Sequence, residues 1–167
     1  MRHELKRIGK LERHTFTGVF KRTGYKTAYH HLNPVYSPTL LLTEIRKLDG
    51  KLITDHLWFN YTKNFLKLGQ LLPGDVIQFD ARVANYSKGY YLCQTKDYKL
   101  SYPTKIRLHQ GVPNPNRQPI PVDDHRALIG YIMLENINFY REQDRTIDSF
   151  YLDTFDQWKM DSNNNIM

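Results

Sequence analysis

The sequence predicts a mainly β protein, a five-stranded Greek-key barrel with a basic N-terminal arm and a partly helical C-terminal extension. Three observations point there. Five runs of strand-like character fill residues 14–108, four of the eight prolines cluster between residues 110 and 122, and helical spacing of apolar residues appears only after them. At 167 residues the chain has room for one domain and an appendage, set against roughly 100 to 200 residues per domain. The expected division is an arm (residues 1–13), a barrel (residues 14–109), a Pro-rich linker (residues 110–122) and an extension (residues 123–167) ending in a disordered tail from Asp161.

The first run, from His14 to Lys26, mixes β-branched and aromatic residues with Gly18 and Gly24, which suit a bent or bulged strand. Asn33, Pro34, Ser37 and Pro38 read as the polar loop that ends it. Thr39 to Leu48 is the second strand. Asp49-Gly50 then predicts a two-residue hairpin of type I′, which needs positive φ at both central positions, and Leu52 to Tyr61 follows as the third strand. Lys63 to Leu72 breaks the alternation as a short helix or turn closed by Pro73-Gly74-Asp75. Val76 to Tyr86 alternates most cleanly, with Ile77, Phe79, Ala81 and Val83 on one face and Gln78, Asp80, Arg82 and Tyr86 on the other. A loop around Ser87-Lys88-Gly89 leads into the fifth run, interrupted near Asp97, in which Pro103 is tolerated only at an edge or a bulge.

Five strands, a hairpin between the second and third, and a short helix between the third and fourth are the pattern of the OB-fold. That barrel binds oligonucleotides or oligosaccharides on its strand 2 and 3 face and flanking loops. Beyond the prolines, Asp123 or Asp124 caps a helix whose apolar positions Ile129, Ile132, Met133, Ile137 and Tyr140 follow helical spacing, weakened by Gly130. Thr146 to Lys159 interleaves acidic and aromatic residues and reads as a short helix.

Composition narrows the function. No run approaches the roughly 18 apolar residues of a membrane span, and the basic N-terminus has no apolar stretch behind it, so a soluble chain with no secretory signal is expected. One cysteine, Cys93, offers neither an internal disulfide nor a thiolate zinc cage, and a cytoplasmic location follows. The net charge of +7 is uneven: residues 1–110 hold 19 Lys and Arg against 8 Asp and Glu, and residues 111–167 hold 5 against 9. A basic arm and barrel suit a phosphate backbone, because each Lys or Arg set against a phosphate releases condensed counterion. The competing reading is an ordinary basic surface.

The chain holds twelve tyrosines. Aromatic rings interleaved with cations are how single strands are bound, since rings stack on unpaired bases while the charges track the backbone. The candidates are Lys21, Arg22, Tyr25, Lys26 and Tyr29 from the first strand and its loop, Arg82 and Tyr86 from the fourth strand, and Lys88, Tyr90 and Tyr91 from the loop after it. On the third strand Ile53, Asp55, Leu57, Phe59 and Tyr61 are expected inside, which turns His56 and Trp58 outward. For Trp58 the alternative is packing under the helix or the arm.

Catalytic signatures are missing. There is no phosphate loop, no dinucleotide glycine motif and no nucleophile elbow. The seven histidines fall in unrelated segments, with His30 and His31 on opposite sides of an extended chain, so no metal or cofactor is expected. Asp55 and His56, as strand neighbours, are expected to point apart rather than pair.

Asp55-His56-Leu57-Trp58-Phe59, the run from Gly74-Asp75 to Val83 and the run from Asp97-Tyr98-Lys99 to Lys105 together resemble small OB-fold single-stranded DNA-binding proteins of bacterial plasmids and phages. The resemblance implies a non-enzymatic, largely sequence-independent protein that coats strands during replication or transfer. It also implies a flexible arm at residues 1–13 that links protomers into a homo-oligomer. The chain departs from housekeeping strand binders in its end, Asn163-Asn164-Asn165-Ile166-Met167, which is not acidic. Two other readings stay open: a protein-interaction module or inhibitor, favoured by the acidic-aromatic extension, and a binder of single-stranded RNA, since stacking and phosphate contacts do not sense the 2′-hydroxyl.

Overall fold

A computed structural model describes residues 2–10, 12–88 and 95–164, with backbone alone at 87, 88, 95, 96 and 164. Helix α1 (His3–Ile8) precedes strands β1 (Arg13–His30), β2 (Asn33–Lys47) and β3 (Leu52–Asn60). After these come α2 (Lys63–Leu66), β4 (Val76–Lys88), β5 (Thr95–Gln110), α3 (His125–Glu135), α4 (Ile137–Glu142) and α5 (Ser149–Asn164). The strands form one open five-stranded sheet in the order β3-β2-β1-β4-β5. β4 runs antiparallel to β1, from Arg13 opposite Arg82 to Val19 opposite Val76, and antiparallel to β5.

In β4 Ile77, Phe79, Ala81 and Val83 are buried, as the sequence predicts. On the other face Asp80 and Tyr86 are half-buried and Arg82 is exposed, but Gln78 is buried, its Oε1 3.1 Å from His109 Nδ1. Pro103 lies in β5, at the edge of the sheet, where the β4 pairing slips around Asp80 and Tyr102 takes φ +52°. In β2, Leu42 and Ile45 are both fully buried although three residues apart; Glu44 between them, at φ +50°, is the extra residue of a bulge.

Two turns differ from expectation. Asn33 to Pro38 is not a loop: β2 starts at Asn33, and β1 turns into it through His31 and Leu32, both at positive φ. That places His31 in a turn rather than a strand, and its ring meets that of His30 at 4.4 Å. At Asp49-Gly50 only Gly50 has positive φ, at +91°. Lys47 donates to Lys51 O at 3.0 Å and Gly50 to Lys47 O at 2.9 Å, so the connection is a three-residue loop with glycine in the bulge position, not a type I′ turn.

The chain divides into two compact units. The first comprises residues 1–21, 41–58 and 71–113, and the second residues 22–40, 59–70 and 114–167. In the first, the stretch expected as a flexible arm holds α1, with Leu5 fully buried. Arg2 donates through its backbone N–H to Asp97 Oδ1 at 2.9 Å and through Nη1 to Tyr98 O at 2.8 Å. Asp75, fully buried, accepts from Leu72 N–H at 2.8 Å and Val112 N–H at 2.6 Å.

In the second unit Asp124 caps α3, accepting from Ala127 N–H at 3.0 Å. Gly130 is where α3 meets α5: a methyl group there would run into the Tyr151 carbonyl oxygen and lie 2.8 Å from Phe155 Cβ. The glycine that weakens the helical pattern is thus what permits the close crossing. The proline-rich stretch is pinned rather than free, with Ile120 buried and Arg117 Nη1 donating to Gln70 O at 2.8 Å. α5 reaches Asn164, so residues 161–164 are helical rather than a disordered tail, while 165–167 lie outside the described residues.

Candidate nucleic-acid interface

The charge follows the units rather than the linear halves. The first unit has 15 Lys and Arg against 8 Asp and Glu, net +7, and the second has nine of each. The whole excess therefore lies on the unit built around β4 and β5.

Within that unit the sequence-predicted residues Lys21, His56, Trp58 and Arg82 are exposed and Tyr86 is half-buried. β3 buries Ile53 and Leu57, leaving Trp58 43% exposed on the opposite side of this edge strand. Asp55, expected inside, is exposed instead, and its Oδ1 lies 3.1 Å from His56 Nδ1. An ionised carboxylate without a buried cation is costly to enclose, and at a sheet edge both side chains reach water and each other. The neighbouring imidazole holds the Asp55 carboxyl below its ordinary range. Tyr86 is engaged by the protein: its hydroxyl accepts from Arg2 Nη1 at 2.9 Å, and Lys99 Nζ lies 5.9 Å from its ring centre.

Arg13 and Arg82 stand directly opposite each other on β1 and β4. Like charges across a ladder are unfavourable. Arg13 relieves this by reaching to the β5 bulge, donating through Nη2 to Asp80 O at 3.0 Å, to Thr104 Oγ1 at 2.9 Å and to Tyr102 O. The bulge so held carries Tyr102, 80% exposed at φ +52°. Neither Arg13 nor Tyr102 was among the sequence-predicted residues. The available signal was Pro103, since a proline inside a strand marks a bulge, and bulges re-aim the adjacent side chain. Arg13, His14, Thr15, Lys47, Leu48 and Asp49 line an open hollow of about 370 Å³ in the same unit.

The remaining candidates fall elsewhere. Arg22, Tyr25, Lys26 and Tyr29 belong to the second unit. Tyr25 is buried, so its ring is not available to a base; it stacks edge-on with Tyr36 at 5.0 Å and donates to Thr146 O at 2.9 Å. Arg22 lies 4.1 Å from the Phe139 ring centre, Lys26 donates to Asn60 Oδ1 at 2.9 Å, and Tyr29 is exposed. The Lys88, Tyr90 and Tyr91 side chains, and Cys93, lie outside the described residues.

Among the described residues no three His, Cys, Asp or Glu side chains come together to hold a metal ion. No helix among them is long and apolar enough to cross a membrane. Compared with protein-family models, with curated proteins and with solved structures, the chain finds no match.

Proposed function

We propose that the chain is a non-enzymatic, largely sequence-independent single-stranded DNA-binding protein that uses the outward face of its first unit. The observation that carries this reading is the coincidence, in that one unit, of the entire +7 excess with exposed Trp58, His56, Arg82 and Tyr102. Rings on a cationic face provide stacking without base identity and backbone contact without sequence. The strand order supports an OB-type barrel, because β3 and β5 are the two edges that such a barrel brings together. The resemblance to plasmid and phage strand binders adds the process, coating of displaced strands during replication or transfer by a homo-oligomer.

Fluorescence anisotropy with oligo-dT and a matched duplex tests the reading. The single strand should bind more tightly, and log K should fall with log salt at a slope of about −0.7 per phosphate contact. Trp58→Ala should weaken binding by about 1 to 3 kcal/mol at an unchanged melting temperature. Equal affinity for duplex and single strand would sink it. An RNA oligomer of the same sequence, run as competitor, settles the choice of sugar.

A second reading is favoured by α5, which exposes Phe150 and Met160 beside Asp153, Asp156 and Asp161. Such a face suits a protein partner. If that partner is a second copy of the chain, Phe150→Ser with Met160→Ser should abolish self-association in sedimentation while leaving oligo-dT affinity intact; unchanged self-association would leave the face to a different protein.

A further inference from the structure

β1 and β2 join through only two residues, His31 and Leu32, at φ +49° and +69°. These are the signs of a type I′ turn, a position that selects Asn-Gly or Gly-Gly because bulky side chains are strained there. The chain places leucine at this point, and that leucine is 94% exposed. It is disfavoured both by the backbone it adopts and by the water around it. Tyr29 and Val35 are exposed beside it, and all ten residues 26–35 are exposed. A strained, apolar tip on a two-stranded ribbon contributes nothing to a core.

The ribbon's base is the opposite. Tyr25 and Tyr36 are buried, and their rings contact Tyr140 at 5.1 Å and Tyr151 at 5.2 Å respectively. Arg145 Nη2 donates to Tyr25 O at 3.2 Å, and His125 Nε2 to Tyr36 O at 2.9 Å. The C-terminal helices thus root the ribbon, which gives the extension a role: it holds the base of a projecting arm.

Charge identifies what the tip meets. From Arg13 to Thr43 the chain has no Asp or Glu, and the cations of the ribbon are Arg22 and Lys26. A cationic, acid-free arm with an aliphatic point suits a polyanion with an apolar interior, which is what stacked bases within a phosphate backbone are. Apolar side chains on such proteins enter between base steps and unstack them.

We infer that the β1–β2 ribbon is a wedge that inserts Leu32 at the junction of duplex and single-stranded DNA, where unstacking is least costly because one side is already unpaired. This deepens the strand-binding reading and rests on it for the class of ligand.

The test compares oligo-dT, a blunt duplex and a forked duplex, with 2-aminopurine beside the fork, for the wild type and for His31→Asn combined with Leu32→Gly. The variant supplies the residues a type I′ turn prefers, so the ribbon is retained and its melting temperature should not fall. The wild type should favour the fork by about tenfold and brighten the probe, and the variant should lose both while keeping its oligo-dT affinity. Retained oligo-dT binding with no fork preference, or with a preference the variant keeps, overturns the wedge and leaves strand coating intact. Fork binding without oligo-dT binding overturns strand coating and keeps the wedge. Binding of anionic phospholipid vesicles that the variant loses, with no fork preference, assigns the tip to membranes and overturns the inference.

Discussion

The phenol of Tyr25 donates a 2.9 Å hydrogen bond to the carbonyl oxygen of Thr146, tying β1 to the segment between α4 and α5. Arg145 lies over both this ring and that of Tyr140, at 4.7 and 4.9 Å from the ring centres. The two tyrosines differ in their hydroxyls. Tyr140, fully buried, has no hydrogen-bond partner for its hydroxyl among the described residues. Tyr25→Phe should therefore cost about 0.5 to 1.5 kcal/mol and leave Thr146 O without its donor, whereas Tyr140→Phe should be neutral or stabilising. Denaturant unfolding of both variants checks the contrast, and equal losses would contradict it.

Gly130→Ala sets two effects against each other. Alanine in a helix interior is favoured over glycine by about 1 kcal/mol. The added methyl would meet the Tyr151 carbonyl and stand 2.8 Å from Phe155 Cβ, and neither the α5 backbone nor a Cβ can swing aside as a flexible side-chain end does. Overpacking of this kind costs about 1 to 3 kcal/mol. The expected net is a loss of stability, read as a melting temperature lowered by about 2 to 4 °C per kcal/mol. A rise would mean that α3 and α5 separate without penalty.

Asp75→Asn probes the closure of the first unit. Both carboxylate oxygens accept backbone N–H groups, from Leu72 and from Val112, in a fully buried position. An amide keeps one acceptor and turns its NH2 toward the other donor. The expected cost is about 1 to 3 kcal/mol, with faster hydrogen exchange at whichever of the Leu72 and Val112 amides loses its acceptor. Unchanged protection of both would show that other contacts hold the segment.

What the sequence made legible follows from where one-dimensional patterns have a single physical cause. The inner face of β4 was readable because four apolar residues alternate along it, and Pro103 because only an edge or a bulge spares its missing N–H; the burial of Gln78 on the polar face was not readable. A cap at Asp123 or Asp124, of which the structure selects Asp124 as the acceptor of Ala127 N–H, was readable because an acidic pair stands just before the first apolar helical positions. His31-Leu32 was not, since neither is a usual turn residue and Asn33-Pro34, just beyond, carries the stronger turn signal. Glu44 gives no local sign of a bulge. Tyr25 read as a surface ring because tyrosine suits water and core alike, and only its packing against the C-terminal helices decides the matter. The charge could be counted but not placed: the structure joins residues 22–40 and 59–70, with four cations and no acids, to the acidic extension.

Alkaline pH should act first on the second unit. Burial pushes the Tyr140 phenol up to about 12 and carries Tyr61 and Tyr131 further above the ordinary phenol range, with the Glu135 carboxylate adding to the shift at Tyr131. Raised values mean that folding is opposed wherever the unfolded chain has released these protons and the folded chain has not. Their stabilising share is complete below about pH 10, the unfolded value. It is then lost progressively as pH rises through 10 toward the folded value of about 12 at Tyr140. A titration followed at once by tyrosinate absorbance and far-UV circular dichroism should show the last phenols ionising together with loss of helix signal. If all twelve tyrosines ionise while the helix signal stays native, Tyr61, Tyr131 and Tyr140 are not held in a dry core.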